Sequence, residues 1–436
     1  MPSYTVSNGL RRVTPYYHDH RTPFKQRWAG RTVGEVLTSE LGQNHDVVSQ
    51  GIALHDIYVT KNNGKAGGPI PIKGTELLTR QLMAHDIIHN LQHVHEPSVI
   101  WTPNRTMIPT VNYFDGRSQS LYMMKCGVLI LFDNKDILVA CKPSGVPTHP
   151  GGIYRYNTLL EIVANELGYP VWPCHRLDKS TLGIIVLAKT KLFCKAMMAV
   201  FRVHTQLEKQ YLARVKGNFV HDKCSYRCPL ISVNSSGGYL NVPKEVPTNS
   251  TTKFQRLAYL PESDESIVLC KPVTGRMHQI RIHLALLGHP ISNDEYYNGQ
   301  NEINSRKNQI ERIIYKNIFE KYPQFAVTGL DAPIPELITV SEFVTPEINT
   351  LLENLAKRRT DRDQRLITGK CVECMLPLYT ENAHPGIYLH AFRLVHNWLQ
   401  IDSEGLQTVP HFSFSTDFPS WCPAEKLSYS ISHQSV

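Results

Sequence analysis

Long hydrophobic runs are missing from this chain of 436 residues, and with them any segment able to span a bilayer as a helix. The longest apolar stretches, such as Gly127 to Phe132, have only the length of strands. A disulfide framework is missing too: the 10 cysteines are scattered, and no secretory signal pattern precedes them. Reduced thiols in an intracellular compartment are therefore expected. The sequence also has no glycine-rich phosphate loop, no complete metal-ligand set and no internal repeat, so neither a nucleotide cofactor nor a catalytic metal is expected. Charged residues are few, at 19%, but apolar ones reach 42%, which is the composition of a folded protein.

Acids are the minority charge. Lys and Arg number 46 against 38 Asp and Glu, a net +8 that favours an anionic partner such as RNA or DNA. The length allows about two to three domains. Met1 to Gly30 is rich in Arg and His, as mitochondrial presequences are. Its clusters Pro15-Tyr16-Tyr17 and Lys25-Gln26-Arg27-Trp28 read better as a folded, RNA-facing element.

Local patterns place the elements. Thr32 to Leu41 has helical spacing, with Val33, Val36, Leu37 and Leu41 on one face and Thr32 as the cap. A second short element covers Asp46 to Leu54, and a turn-rich stretch runs from Gly64 to Pro69. Asp136 to Lys142 and Lys209 to Lys216 read as strands. Thr158 to Leu167, Leu192 to Val203 and Gln279 to Leu287 read as helices, with Gly168 and Gly288 as stops. Glu302 to Tyr322 and Glu353 to Asp363 are dense in charge and are expected to be exposed helices inserted between core segments.

The richest stretch is His175-Arg176-Leu177-Asp178, which runs into the apolar strand Ile184 to Ala188. A carboxylate on a loop beside a rigid element, with a guanidinium two residues away, suits a nucleophile or a base. Four further segments accompany it: Lys142 to Pro150, Lys209-Gln210-Tyr211, Thr274 to Arg281, and Leu389-His390-Ala391. Together with His175 to Gly183 they closely resemble the signatures of the RluA-type pseudouridine synthases, over residues 125–294 and again at 388–392. Pro15-Tyr16-Tyr17, Arg27-Trp28-Ala29-Gly30-Arg31 and His93-Val94-His95-Glu96-Pro97 resemble the eukaryotic branch of that family which modifies tRNA. One position departs from the pattern: Leu182 stands where the family carries Ser.

The resemblance implies an α+β pseudouridine synthase fold, with a mixed, mainly antiparallel sheet flanked by helices around a central cleft. A small S4-like RNA-binding module would occupy residues 1–98, a linker 99–124, the catalytic domain 125–300, the charged insertion 301–370 and a C-terminal completion 371–436. It further implies Asp178 as the catalytic carboxylate, Arg281 as its cation, and Tyr211 as a stacking wall and proton-transfer partner. Arg176 would fill the space of a flipped base, and Lys142, Arg276, Lys25, Arg27 and Trp28 would contact RNA. The implied partner is tRNA, with a uridine at about position 31 of the anticodon stem preferred and about 32 next. A monomer without cofactor or metal is expected, cytoplasmic, with mitochondrion and nucleus as further compartments.

Three other readings compete on the residues alone. A zinc nucleobase deaminase would use Cys371-Val372-Glu373-Cys374 with His95-Glu96. That chemistry requires His, one residue, then Glu, and a Pro before the CxxC, where this chain has Lys370. A structural zinc on Cys371, Cys374, Cys224 and Cys228 would need four ligands to converge. A non-catalytic RNA-binding protein of the same fold remains the third reading, against which Asp178 is intact. His175, His278 and His283 are read as loop-holding groups.

Overall fold

The computed structural model describes residues 2–427 apart from 62–70, 102–111, 120, 203–206, 237–238, 299–301, 326–334, 358–366, 376, 380–385, 397–408, 424 and 426. The Gly64 to Pro69 turn, Val203 and the 358–363 part of the charged segment lie outside the described residues. Among the described residues no helix is long and apolar enough to cross a membrane.

In the N-terminal module, three strands and a single 3-10 turn lead into two short helices. Helix α1, Val33–Ser39, opens on a capping box in which Thr32 and Glu35 exchange side-chain and backbone hydrogen bonds. Helix α2, His45–Ala53, is capped by Asn44, whose side chain accepts from the Asp46 amide at 2.7 Å. Both bury an apolar face, Val33, Val36 and Leu37 from one and Val48 and Ile52 from the other. These pack with Trp28 and with the four-stranded sheet that contains Tyr16–Pro23, Asp86–Val94 and Ile57–Lys61.

The larger sheet runs in the order 122–123, 129–133, 137–142, 182–188, 389–396, 207–216, 265–272, 251–260, 223–227. Its pairs along this path are antiparallel except one: Leu182–Ala188 and Leu389–His396 run parallel, with Gly183 opposite Ala391. Gly183 has φ +125°, and a Cβ there would lie 2.2 Å from the Ala391 carbonyl oxygen, so only glycine lets the strands meet. Helix α3, Leu159–Leu167, ends at Gly168 in the left-handed region. Helices α4, Lys191–Arg202, and α5, Gln279–Leu286, complete the frame around the sheet's middle. The mixed, mainly antiparallel α+β architecture matches the sequence reading.

The first charged segment departs from it. Helix α6, Glu302–Lys321, buries Ile310, Ile314, Tyr315 and Ile318 in the core. Helix α7, Pro346–Lys357, docks through Ile348, ahead of the second charged segment, in which Glu353 and Asn354 are exposed as expected. A stripe at i, i+4, i+8 suffices to dock α6, whatever charge covers its other faces. Residues 99–124 also feed the cores, through Trp101 and Phe114.

Candidate active site

Asp178 stands on a loop that feeds the strand Leu182–Ala188, and the segment 142–148 holds that loop from outside. Lys142 Nζ donates to the carbonyls of Pro143 and Val146, each at 2.8 Å, and of Lys179 at 3.1 Å. The Gly145 amide donates to Lys179 O at 2.8 Å, and Ser144 Oγ donates to Ser180 O at 2.6 Å. Thr148 Oγ1 donates to Leu177 O at 3.0 Å. The Lys-Pro-Ser-Gly-Val-Pro-Thr motif is therefore a bracket for the acid's loop.

Lys142 corrects an expectation: read as an RNA contact, it is wholly buried. Burial pulls its ammonium down to about 7, yet three carbonyls match its three N–H donors. A neutral amine would set its lone pair against one of those carbonyls, so the geometry favours the charged form.

Arg281 arrives from the first turn of α5. Its Nε and Nη2 donate to the two Asp294 carboxylate oxygens at 2.6 and 2.8 Å, a bidentate clamp. That leaves Nη1 aimed at Asp178, 3.5 Å from Oδ2. The Tyr297 ring centroid lies 5.0 Å from the guanidinium carbon. Burial opposes the Arg281 charge, but Asp294 and then Asp178 outweigh it and raise the group further.

His278 Nε2 stands 3.7 Å from the same Asp178 oxygen, on a residue held at φ +55°. Burial, then Arg281, pushes this imidazole down to about 4, so it is neutral near pH 7. Tyr211 belongs to the strand Leu207–Lys216, beside Ala391 and Cys270. Burial, then the Asp178 carboxylate, pushes its phenol upward. The side chain is thus a neutral ring with a hydroxyl donor.

These groups line one cleft of about 430 Å³, within the range of small-molecule sites, roughly 300–1,000 Å³. Met198, Phe201 and Met277 give it an apolar wall, while Arg176, Arg202 and Arg276 make an exposed basic rim. Lys209 also faces it, with burial pulling its ammonium down to about 8. A fixed carboxylate–guanidinium pair beside a flat apolar wall and a cationic mouth suits a planar base attached to an anionic backbone.

Asp178, Tyr211, Arg281, Arg176 and Arg276 are thus brought together. Lys25 and Arg27 are exposed on the N-terminal module and do not line the cleft. Trp28, expected on the RNA face, is instead fully buried, its Nε1 donating to Glu40 at 2.7 Å. It is the largest side chain of a small core, which explains its burial better than any base contact. His175 accepts from the Val186 amide at 3.1 Å and stacks on Phe201, as a loop-holding imidazole does. Leu182, at the position expected to carry Ser, is half-buried and packs against the edge of an apolar cluster. Asp294 escaped the sequence reading, since an acid in an aperiodic stretch gives no signal.

The four-cysteine zinc set is also corrected. Cys228 is buried in the core and Cys224 packs against it, whereas Cys371 and Cys374 face His93 and His95. The deaminase reading fails on Glu96, whose carboxylate accepts from Tyr16 Oη and from the amides of Arg155, Tyr156 and Asn157. With its oxygens so occupied it has no role as a general acid.

A family profile for RNA pseudouridylate synthase matches residues 136–286. A tRNA pseudouridine(31) synthase of Saccharomyces cerevisiae is 33% identical, over 95% of this chain and 96% of its own length. Pseudouridylate synthase RPUSD2 of Homo sapiens is 36% identical over 68% of this chain, which spans 48% of that relative. A mitochondrial tRNA pseudouridine(32) synthase of Saccharomyces cerevisiae is 31% identical over 68% of this chain and 57% of its own length.

Proposed function

Because the chain belongs to the RNA pseudouridine synthase family, we propose that it converts uridine to pseudouridine in the anticodon stem-loop of tRNA, with position 31 preferred and position 32 next. One observation carries most weight: the Asp178 carboxylate faces a guanidinium fixed by Asp294, inside a cleft with a basic rim. The reaction breaks the glycosidic C–N bond, turns the uracil and joins its C5 to the sugar carbon. N1 gains a proton and C5 loses one; nothing is oxidised or reduced. Asp178 either attacks the sugar or base as a nucleophile, or takes a proton from the sugar. Both routes use the carboxylate as an anion, and Arg281 Nη1 stands 3.5 Å from it as a counter-charge.

A uridine in a stem-loop is stacked, so the enzyme must evert it. Arg176, exposed at the cleft mouth, fills the vacated space and pairs with RNA. Tyr211 stacks on the uracil and offers its hydroxyl for proton transfer. Arg276 holds the phosphates near the cleft, and Lys25 and Arg27 extend the contact over the N-terminal module, which we read as S4-like. Residues 125–300 with 371–436 form the catalytic domain of a monomer, which works in the cytoplasm and, in this reading, also serves mitochondrial or nuclear tRNA. Mapping pseudouridine in tRNA from cells lacking the protein tests the proposal. Loss at position 31, or failing that 32, supports it, and full modification at both rejects it.

A further inference from the structure

His93 and His95 lie two residues apart at the end of the strand Asp86–Val94, so their rings project from one face. Opposite them, the chain after Ile367–Lys370 makes a tight turn, Cys371-Val372-Glu373-Cys374, closed by the Met375 amide donating to Cys371 O at 2.9 Å. One ligand-capable atom from each of His93, His95, Cys371 and Cys374 lies within 4.8 Å of the other three. His95 Nε2 is 3.3 Å from Cys374 Sγ, and His93 Nδ1 is 3.8 Å from Cys371 Sγ. Around a tetrahedral zinc, with Zn–S near 2.3 Å and Zn–N near 2.0 Å, neighbouring ligand atoms sit roughly 3.3–3.8 Å apart.

The surroundings match as well as the ligands. The other nitrogen of His93, Nε2, faces the Glu373 carboxylate at 3.5 Å. That carboxylate accepts from Tyr17 Oη at 2.9 Å, and the Tyr17 ring stacks on His93. A ligand imidazole whose far nitrogen meets a carboxylate is the usual second layer of a zinc site. The Glu373 amide donates to Cys371 Sγ at 3.4 Å, which favours a thiolate.

We propose that His93, His95, Cys371 and Cys374 bind one structural Zn²⁺ that staples the C-terminal segment to the N-terminal module. Two thiolates and two imidazoles suit zinc over the hard cations, which take oxygen ligands. Four protein ligands leave no open position, so the ion does no chemistry. Its effect is to close a loop of chain whose ends are 278 residues apart and so to fix the N-terminal module against the C-terminal segment. The proposal holds whether or not the chain isomerises uridine.

The test uses the full-length protein, expressed with zinc supplied and dialysed against a mild chelator resin, with zinc, iron and copper quantified per chain. About one equivalent of zinc is expected. Less than about half an equivalent, or iron or copper in its place, overturns the proposal. X-ray absorption on the same sample should show two sulfur and two nitrogen neighbours near 2.3 and 2.0 Å. Four sulfurs would assign the metal to another cysteine set. Cys371→Ser/Cys374→Ser should lose the metal, while Cys224→Ser/Cys228→Ser should keep it; the reverse pattern refutes the assignment. The absorption measurement decides the matter on wild-type protein even if the first variant fails to fold.

Discussion

Arg281 meets Asp178 at 3.5 Å with only one of its nitrogens, because Asp294 holds the other side of the guanidinium in a bidentate grip. Arg281 and Asp294 are both buried, so the orientation of the cation is set by a residue outside the family motifs.

Removing Asp294 should therefore harm both fold and chemistry. Asp294→Ala leaves a buried guanidinium short of its main partner, at an expected cost of about 3–5 kcal/mol. Asp294→Asn keeps the shape and should lower kcat more than it raises KM for tRNA. Urea unfolding and single-turnover kinetics measure the two effects, and a change below about 1 kcal/mol in Asp294→Ala would count against the clamp.

Lys142 and Arg276 should separate cleanly. Lys142→Met deprives three carbonyls of a charged donor and should cost about 2–4 kcal/mol, with little change in the salt dependence of tRNA binding. Arg276→Ala should leave stability nearly unchanged and reduce the slope of log K against log salt by about 1. Filter-binding titrations over a salt series, beside melting curves, check both.

Acid should destabilise the protein through its buried histidines. Burial pushes His175, His283 and His390 down to about 3 and His278 to about 4, against 6.5 when unfolded. Between those values the unfolded chain binds more protons than the native one. Stability from these groups is thus complete above about pH 6.5 and falls as pH drops towards 3, at up to about 1.4 kcal/mol per pH unit for each. Tm measured from pH 7.5 to 4.5 should fall steadily below 6.5, and a rise on acidification would contradict the assignment.

Much of this was legible in the sequence, for physical reasons that can be named. Thr32 as a cap and Gly168 as a stop are local signals, and both appear where a lone helix would need them. Asp178, Tyr211 and Arg281, each from a different motif, line one cleft. What failed was burial of polar groups by distant chain. Nothing near Lys142 announces that three carbonyls will enclose its ammonium, and Trp28 in a basic run looks like a base-stacking ring until a core closes over it. The charge of α6 concealed an isoleucine stripe. The clustering of Cys371 and Cys374 with His93 and His95 brings together segments 278 residues apart that no local pattern connects.

The claim on which the rest depends is that Asp178 does the chemistry. Tritium release from tRNA labelled at uridine C5, measured for wild type and Asp178→Ala alongside tRNA affinity, tests it most directly. The account predicts release lost and binding nearly unchanged in the variant. Equal release from the two proteins would remove Asp178 from the mechanism.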